Sequence, residues 1–149
     1  MNEVNHNVLV VEDEEAVRSM LALSLQHAGY HVHTASDGLE ALGEMKQRRF
    51  DVVLTDYQMP GINGLEFLSL SKILWPNIPV VILSGDQSEE IAGLAMRNGA
   101  FTWLHKPYER ALLLEILHLA TQQSQREPAY LASAHSANEA QGGRKPDQR

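Results

Sequence analysis

Short runs of β-branched and aliphatic residues alternate five times with segments of helical period, and few folds accommodate that alternation. Val8–Val11, Val52–Leu54 and Val80–Leu83 are unbroken apolar runs, the pattern of strands buried on both faces as in parallel sheets. His31–Ala35 and Phe101–Leu104 are weaker strands, expected nearer a sheet edge. Between them, Val17, Met20, Leu21 and Leu25 share one helical face, as do Leu113, Ile116, Leu117 and Ala120. Leu39, Leu42 and Met45 mark a further helix, weakened by Gly43, and Gly64–Leu74 another that stops before Pro76. Ile91, Leu94 and Ala95 give a shorter helix ending at Asn98-Gly99, and Asp86 with Glu89 resembles a capping box at its start. The order βα, five times over, predicts an α/β fold: a doubly wound, five-stranded parallel sheet with helices on both faces.

Composition narrows the function. The chain has no cysteine, which excludes disulfide scaffolds, thiolate zinc sites and cysteine nucleophiles. A net charge of −7 supplies no field to attract nucleic acid or an anionic membrane, so neither is expected as a partner. Met1–Asn7 lacks a basic signal-peptide region, and Ile78–Leu83 falls far short of the ~20 apolar residues a membrane helix needs. A cytoplasmic location is the expectation. After Pro128 the only large apolar side chains are Tyr130 and Leu131, and such a segment cannot bury enough surface to offset its ordering entropy. The chain therefore reads as one domain over 7–122, with 123–149 holding the end of the last helix and a disordered tail; a short helix at Tyr130–His135 is a weak alternative.

Parallel α/β sheets bind ligands at the carboxyl ends of their strands. Glu12-Asp13-Glu14-Glu15 follows the first strand, Asp56 ends the third, Ser84-Gly85-Asp86 ends the fourth, and Lys106-Pro107 follows the fifth. Taken singly, each has an ordinary explanation: Glu14 and Glu15 suit the start of a helix, and a lone Ser or Lys at a strand end is usually solvated. Their joint occurrence at four of five strand ends is the informative observation. Carboxylate oxygens suit Mg²⁺, Lys106 offers a point charge for a phosphoryl oxygen, and Ser84 offers a hydroxyl. An Asp beside the metal can accept a phosphoryl group as an aspartyl phosphate.

These residues resemble the receiver domain of bacterial two-component response regulators, here as a stand-alone module without an output domain. The resemblance rests on 8–14 (VLVVEDE), 35–42 (ASDGLEAL), 51–61 (DVVLTDYQMPG), 78–85 (IPVVILSG), 98–100 (NGA) and 105–108 (HKPY), in the family's order from about Asn7 to Thr121. It implies a flavodoxin-like (βα)5 fold with strand order 2-1-3-4-5. It implies that Asp56 is the phosphoacceptor, served by the histidine of a sensor kinase or a phosphotransfer protein. Glu12, Asp13, Asp56 and the backbone carbonyl of Gln58 then hold Mg²⁺. Ser84 matches the hydroxyl residue that takes a phosphoryl oxygen and moves inward on activation. Lys106 matches the family's lysine, with a cis bond to Pro107. Trp103 stands where the family usually has a Tyr or Phe that swings inward behind the Ser; an indole is larger, and its N–H needs a partner when buried. Output is then contact with a downstream protein, through the last helix, the strand bearing Trp103 and the helix from Ser88 to Asn98.

The competing reading is a small Mg²⁺-dependent phosphatase with an Asp nucleophile. Such enzymes usually carry a second Asp two residues on as general acid, and that position here is Gln58. A nucleotide-binding domain lacks its glycine-rich loop after the first strand. An interaction module that merely keeps the fold would have no need of the complete residue set. His31 and His33 share a strand face but lack a third ligand and read as exposed edge residues. Leu112–Leu114 reads as packing of the last helix, and Met20, Met45, Met59 and Met96 as gap-fillers.

Overall fold

The computed structural model describes residues 6–86 and 88–125. Strands and helices alternate throughout: β1 (Asn7–Val11), α1 (Glu15–His27), β2 (His31–Ala35), α2 (Gly38–Gln47), β3 (Val52–Asp56), α3 (Gly64–Leu74), β4 (Val80–Ser84), α4 (Glu89–Arg97), β5 (Thr102–His105) and α5 (Arg110–Gln125). All strand pairings are parallel, in the order β2-β1-β3-β4-β5, as the pattern and the resemblance implied. The two weak strands are the two edges. The disordered tail and the Tyr130–His135 helix fall outside the described residues. No helix among the described residues is long and apolar enough to cross a membrane.

Alternation along each strand builds two cores. Leu9, Val11, Val53, Val80, Ile82 and Trp103 face one side and pack with Ala41 and Met45 of α2, Phe67 and Leu68 of α3, and Ala95 of α4. Val8, Val10, Val52, Leu54, Val81, Leu83 and Leu104 face the other and pack with Leu21 and Leu25 of α1 and Leu113, Leu117 and Ala120 of α5. Strands apolar on both faces are thus explained by helix layers on both faces.

The helices correct several sequence expectations. In α1 only Leu21 and Leu25 of the apolar stripe are buried, while Val17 and Met20 face outward. Met45 and Met59 fill core space, but Met20 and Met96 are exposed. Of Leu112–Leu114, Leu113 alone is fully buried and Leu112 points to solvent. The cap of α4 is Ser88, whose hydroxyl accepts from the Ile91 N–H at 3.3 Å, instead of Asp86; the Asp86 carboxylate accepts from the Ser88 N–H at 2.7 Å, one step outside the helix. A true capping box occurs at α3, where Asn63 and Glu66 bond each other's backbone N–H. Glu14 occupies the cap position of α1 without a side-chain cap bond. His31 is exposed on edge strand β2, whereas His33 is half-buried with its ring edge-on to Phe50 at 5.7 Å.

Two glycines show how tightly the carboxyl edge is packed. A Cβ on Gly64 would lie 2.7 Å from the Asp56 carbonyl oxygen and 2.9 Å from the Tyr57 Cα, both backbone atoms. The Gly64 N–H donates to the Tyr57 carbonyl at 2.7 Å, so α3 starts directly against the end of β3. Gly43 lies inside α2 with nothing within 4 Å of its would-be Cβ. Gly64→Ala should therefore destabilise the fold by about 1–3 kcal/mol through forced backbone shift. Gly43→Ala should stabilise it by about 0.5–1 kcal/mol through helix propensity. Urea denaturation of both variants checks the pair; equal effects would overturn the packing argument.

Candidate functional site

The parallel ladder continues into the residues that follow each strand, and this aligns the site. The Glu12 N–H donates to the Ala35 carbonyl at 3.0 Å, tying the end of β1 to β2. The Tyr57 N–H donates to the Leu83 carbonyl at 2.9 Å, and the Lys106 N–H to the Ser84 carbonyl at 2.8 Å. Glu12, Asp56, Ser84 and Lys106 consequently stand along one edge, although they are scattered over the chain.

Three carboxylates converge there. Glu12, Asp13 and Asp56 each bring an oxygen within 4.8 Å of the others. Glu12 is 4% and Asp56 9% exposed, while Asp13 is open to solvent. The Lys106 Nζ donates to Asp56 Oδ1 at 2.5 Å and lies 3.9 Å from Glu12 Oε1. Glu12 Oε2 also accepts from the Glu14 N–H at 3.0 Å. The Lys106–Pro107 bond is cis. Gln58 lies two residues beyond β3 with an exposed side chain, placing its backbone in the loop that leaves Asp56.

The charges do not balance. Burial pushes the Glu12 carboxyl above its ordinary range; the Glu14 N–H opposes this, Asp56 and Asp13 add to it, and Lys106 works against it. Burial would lower the Lys106 ammonium, but the bond to Asp56 and the charges of Asp56 and Glu12 outweigh it, and the net shift is upward. One ammonium faces three carboxylates, and hard oxygen donors at this spacing are the set a divalent cation such as Mg²⁺ accepts. The residues present fit that ion.

Ser84 is 1% exposed at the end of β4, and its hydroxyl accepts from the Asp86 N–H at 2.8 Å. It is therefore at the edge but turned into its own loop. Trp103 is 9% exposed and packs against Tyr57, the neighbour of Asp56, with ring centroids 5.3 Å apart. Its Nε1 is buried without an acceptor among the described residues, the unmet need that a buried indole was expected to create. Sequence reasoning missed Tyr57 as the partner of this ring. It also missed Arg18, whose Nη1 donates to the Glu12 carbonyl at 2.9 Å and the Asp13 carbonyl at 3.4 Å. An arginine one turn into the helix after an acidic run is the only signal that could have found it.

Removing one like charge should relieve the metal-free site. Asp13→Asn is expected to raise the melting temperature in EDTA and weaken Mg²⁺ binding. Mg²⁺ at 100 times its dissociation constant should stabilise the wild type by about 2.7 kcal/mol. Glu12, with its carboxyl raised above 4.5, favours its protonated form in the fold. Its contribution to stability in EDTA is present below that pH and lost as pH rises through the raised value, and Glu12→Gln should flatten this dependence. Melting curves indifferent to Mg²⁺ and to both substitutions would reject the electrostatic account.

Comparison with known proteins identifies the family. The family model described as the response regulator receiver domain matches residues 8–118. The CAI-1 autoinducer sensor kinase/phosphatase CqsS of Vibrio cholerae is 36% identical over 110 residues, 72% of this chain and 16% of that protein. The nitrogen assimilation regulatory protein NtrX of Azorhizobium caulinodans is 34% identical over 117 residues, 77% of this chain and 26% of that protein. The chain thus spans under a third of the length of these curated relatives. The crystal structure of a response regulator receiver domain protein from Clostridium thermocellum aligns with a TM-score of 0.77 and 32% identity, covering 80% of this chain and 97% of that one. Sequence and fold coincide: the chain belongs to the response regulator receiver domain family, the signalling domain of two-component systems.

Proposed function

We propose that Asp56 accepts a phosphoryl group from the histidine of a sensor kinase or phosphotransfer protein, and that the domain thereby switches a protein-contact surface. One observation carries the reading: Asp56 stands between the Lys106 ammonium, 2.5 Å away, and the carboxylates of Glu12 and Asp13. A carboxylate oxygen of Asp56 attacks the phosphorus, the phosphorus–nitrogen bond of the phosphohistidine breaks, and the imidazole leaves with the electron pair and takes up a proton. Lys106 stays beside the acceptor and balances charge on the transferred group. Glu12, Asp13, Asp56 and the Gln58 carbonyl would hold Mg²⁺, which would supply the remaining neutralisation. Asp56 is buried at the base of the cluster, which limits access to donors that enter along the sheet edge.

The same geometry supports a switching role for Ser84 and Trp103. The Ser84 hydroxyl accepts from the Asp86 N–H, and reaching a phosphoryl oxygen on Asp56 would require it to leave that bond and displace the loop before α4. Trp103 lies inward against Tyr57, the neighbour of Asp56, before any phosphoryl group arrives. The downstream surface is α4, β5 and α5, where Leu94, Met96, Leu112 and Leu119 are exposed.

Acetyl phosphate with Mg²⁺ should label Asp56, read as a mass increase mapped to its peptide. Asp56→Asn should carry no label, and Lys106→Met should lose most of it; label on Asp56→Asn equal to wild type would sink the assignment. The switch is tested apart from the chemistry. In Trp75→Phe, which leaves Trp103 as the single indole, beryllofluoride with Mg²⁺ should shift the emission, and Trp103→Tyr should abolish the shift. Unchanged emission with confirmed ligand binding would reject Trp103 as a switch while leaving Asp56 as acceptor.

A further inference from the structure

Arg18 occupies the fourth position of α1, half-buried, on the face that meets the acidic loop. Helical side chains lean toward the helix N-terminus, so its stem runs back along the first turn. Its Nη1 then donates to the Glu12 carbonyl at 2.9 Å and, less closely, to the Asp13 carbonyl at 3.4 Å. Among the described residues it forms no ion pair with a carboxylate. The Glu40 carboxylate, whose ionisation senses Arg18, is already engaged by the Ser36 N–H at 2.8 Å and the Ser36 hydroxyl at 2.7 Å. The guanidinium is therefore committed to two main-chain oxygens beside the acid cluster.

This contact completes the anchoring of the loop. Glu12 is tied at its N–H to the Ala35 carbonyl, at its carbonyl to Arg18, and at its carboxylate to the Glu14 N–H. Asp13 is exposed, and Arg18 is the contact its carbonyl makes from the side chain of another residue. A cation placed this close to a cation site would, by charge alone, repel the metal. Its commitment to the carbonyls argues for a geometric function that outweighs the repulsion.

We propose that Arg18 is a positioning residue for the metal-binding loop: by pinning the Glu12 and Asp13 carbonyls it presets their carboxylates for a divalent cation. The inference rests on the Mg²⁺ reading above, and charge and position predict opposite signs for its loss. If Arg18 acts by charge, Arg18→Gln binds Mg²⁺ more tightly. If it acts by position, Arg18→Gln binds more weakly, by about tenfold or more, as for other groups that orient metal ligands. Arg18→Lys keeps a donor in reach of the carbonyls and should restore most of the affinity.

The test uses the full chain and magnesium chloride as the only ligand. Titration calorimetry gives the dissociation constant for wild type, Arg18→Gln and Arg18→Lys, and melting in EDTA reports the fold. Hydrogen exchange of the Glu14 amide, measured by NMR in EDTA, reports the loop without metal. The proposal expects weaker Mg²⁺ binding in Arg18→Gln, rescue in Arg18→Lys, unchanged EDTA melting and faster Glu14 exchange. Equal or tighter binding in Arg18→Gln overturns it while leaving the metal site intact. A fall in EDTA melting that Arg18→Lys does not reverse also overturns it, as a purely structural role. A wild type that binds no Mg²⁺ removes the metal reading instead; the Glu14 amide then decides alone, and protection equal to wild type in Arg18→Gln overturns the loop role.

Discussion

Parallel pairing forces every strand in the sheet to end on the same side, and the chemistry of this domain depends on that constraint. The register sets Asp56 beside Leu83 and Ser84 beside His105, so the third, fourth and fifth strands end within a residue or two of one another. Inter-strand hydrogen bonds from Glu12, Tyr57 and Lys106 extend the ladder past the strands. The backbones at these positions are thus held in the sheet. Gly64 adds the last restraint by letting α3 begin in contact with the Asp56 and Tyr57 backbone. Asp56 and Lys106, 50 positions apart in sequence, are thereby brought together by the sheet.

A rigid edge can hold an arrangement that is unfavourable in itself. Two buried carboxylates and one exposed carboxylate share a single ammonium, and the Glu12 carboxyl is raised, first by its burial and then by the charges of Asp56 and Asp13. The two helix layers, apolar and closely packed on both faces of the sheet, stabilise the fold enough to hold that arrangement in place. An excess of negative charge with fixed geometry attracts a divalent cation, and the cation in turn makes an anionic phosphoryl group welcome. The electrostatic imbalance and the proposed chemistry are therefore one property of the edge seen at two stages.

How much of this was legible in the sequence follows from which interactions are local. Strands such as Val8–Val11 and Val80–Leu83 announce themselves because burial on both faces leaves no polar position in them. Asp56, Glu12, Asp13 and Lys106 could be gathered in advance because strand ends in a parallel sheet converge whatever the details. Helix faces were read less well. Met20 fits an apolar stripe by spacing yet points to solvent, because the inward arc of α1 is narrow enough to be filled by Leu21 and Leu25. The cap of α4 was misplaced because Asp86 and Ser88 are both good caps, and only the loop geometry after Ser84 decides between them. Arg18 and Tyr57 were invisible for a different reason: their partners are main-chain carbonyls and a distant ring, which no residue spacing encodes.

Strand β5 links the core, the sheet edge and the outer surface. Four residues long and paired on one side only, it is the element of the sheet with least to hold it in place. Along it, Trp103 faces the α2–α4 layer, Leu104 faces the α1–α5 layer, and Lys106 follows at the edge beside Asp56. Any change of charge at Asp56 alters the bond to Lys106 first. The Lys106 N–H is bonded to the Ser84 carbonyl, so the ends of β5 and β4 respond together. Trp103 is three residues away on the same short strand, with an unmet N–H and a ring resting on the neighbour of Asp56. A buried donor without an acceptor favours any rearrangement that supplies one. In the proposed switch, this one short edge strand would link the site to the surface, with the buried indole N–H as the group whose bonding a movement could change.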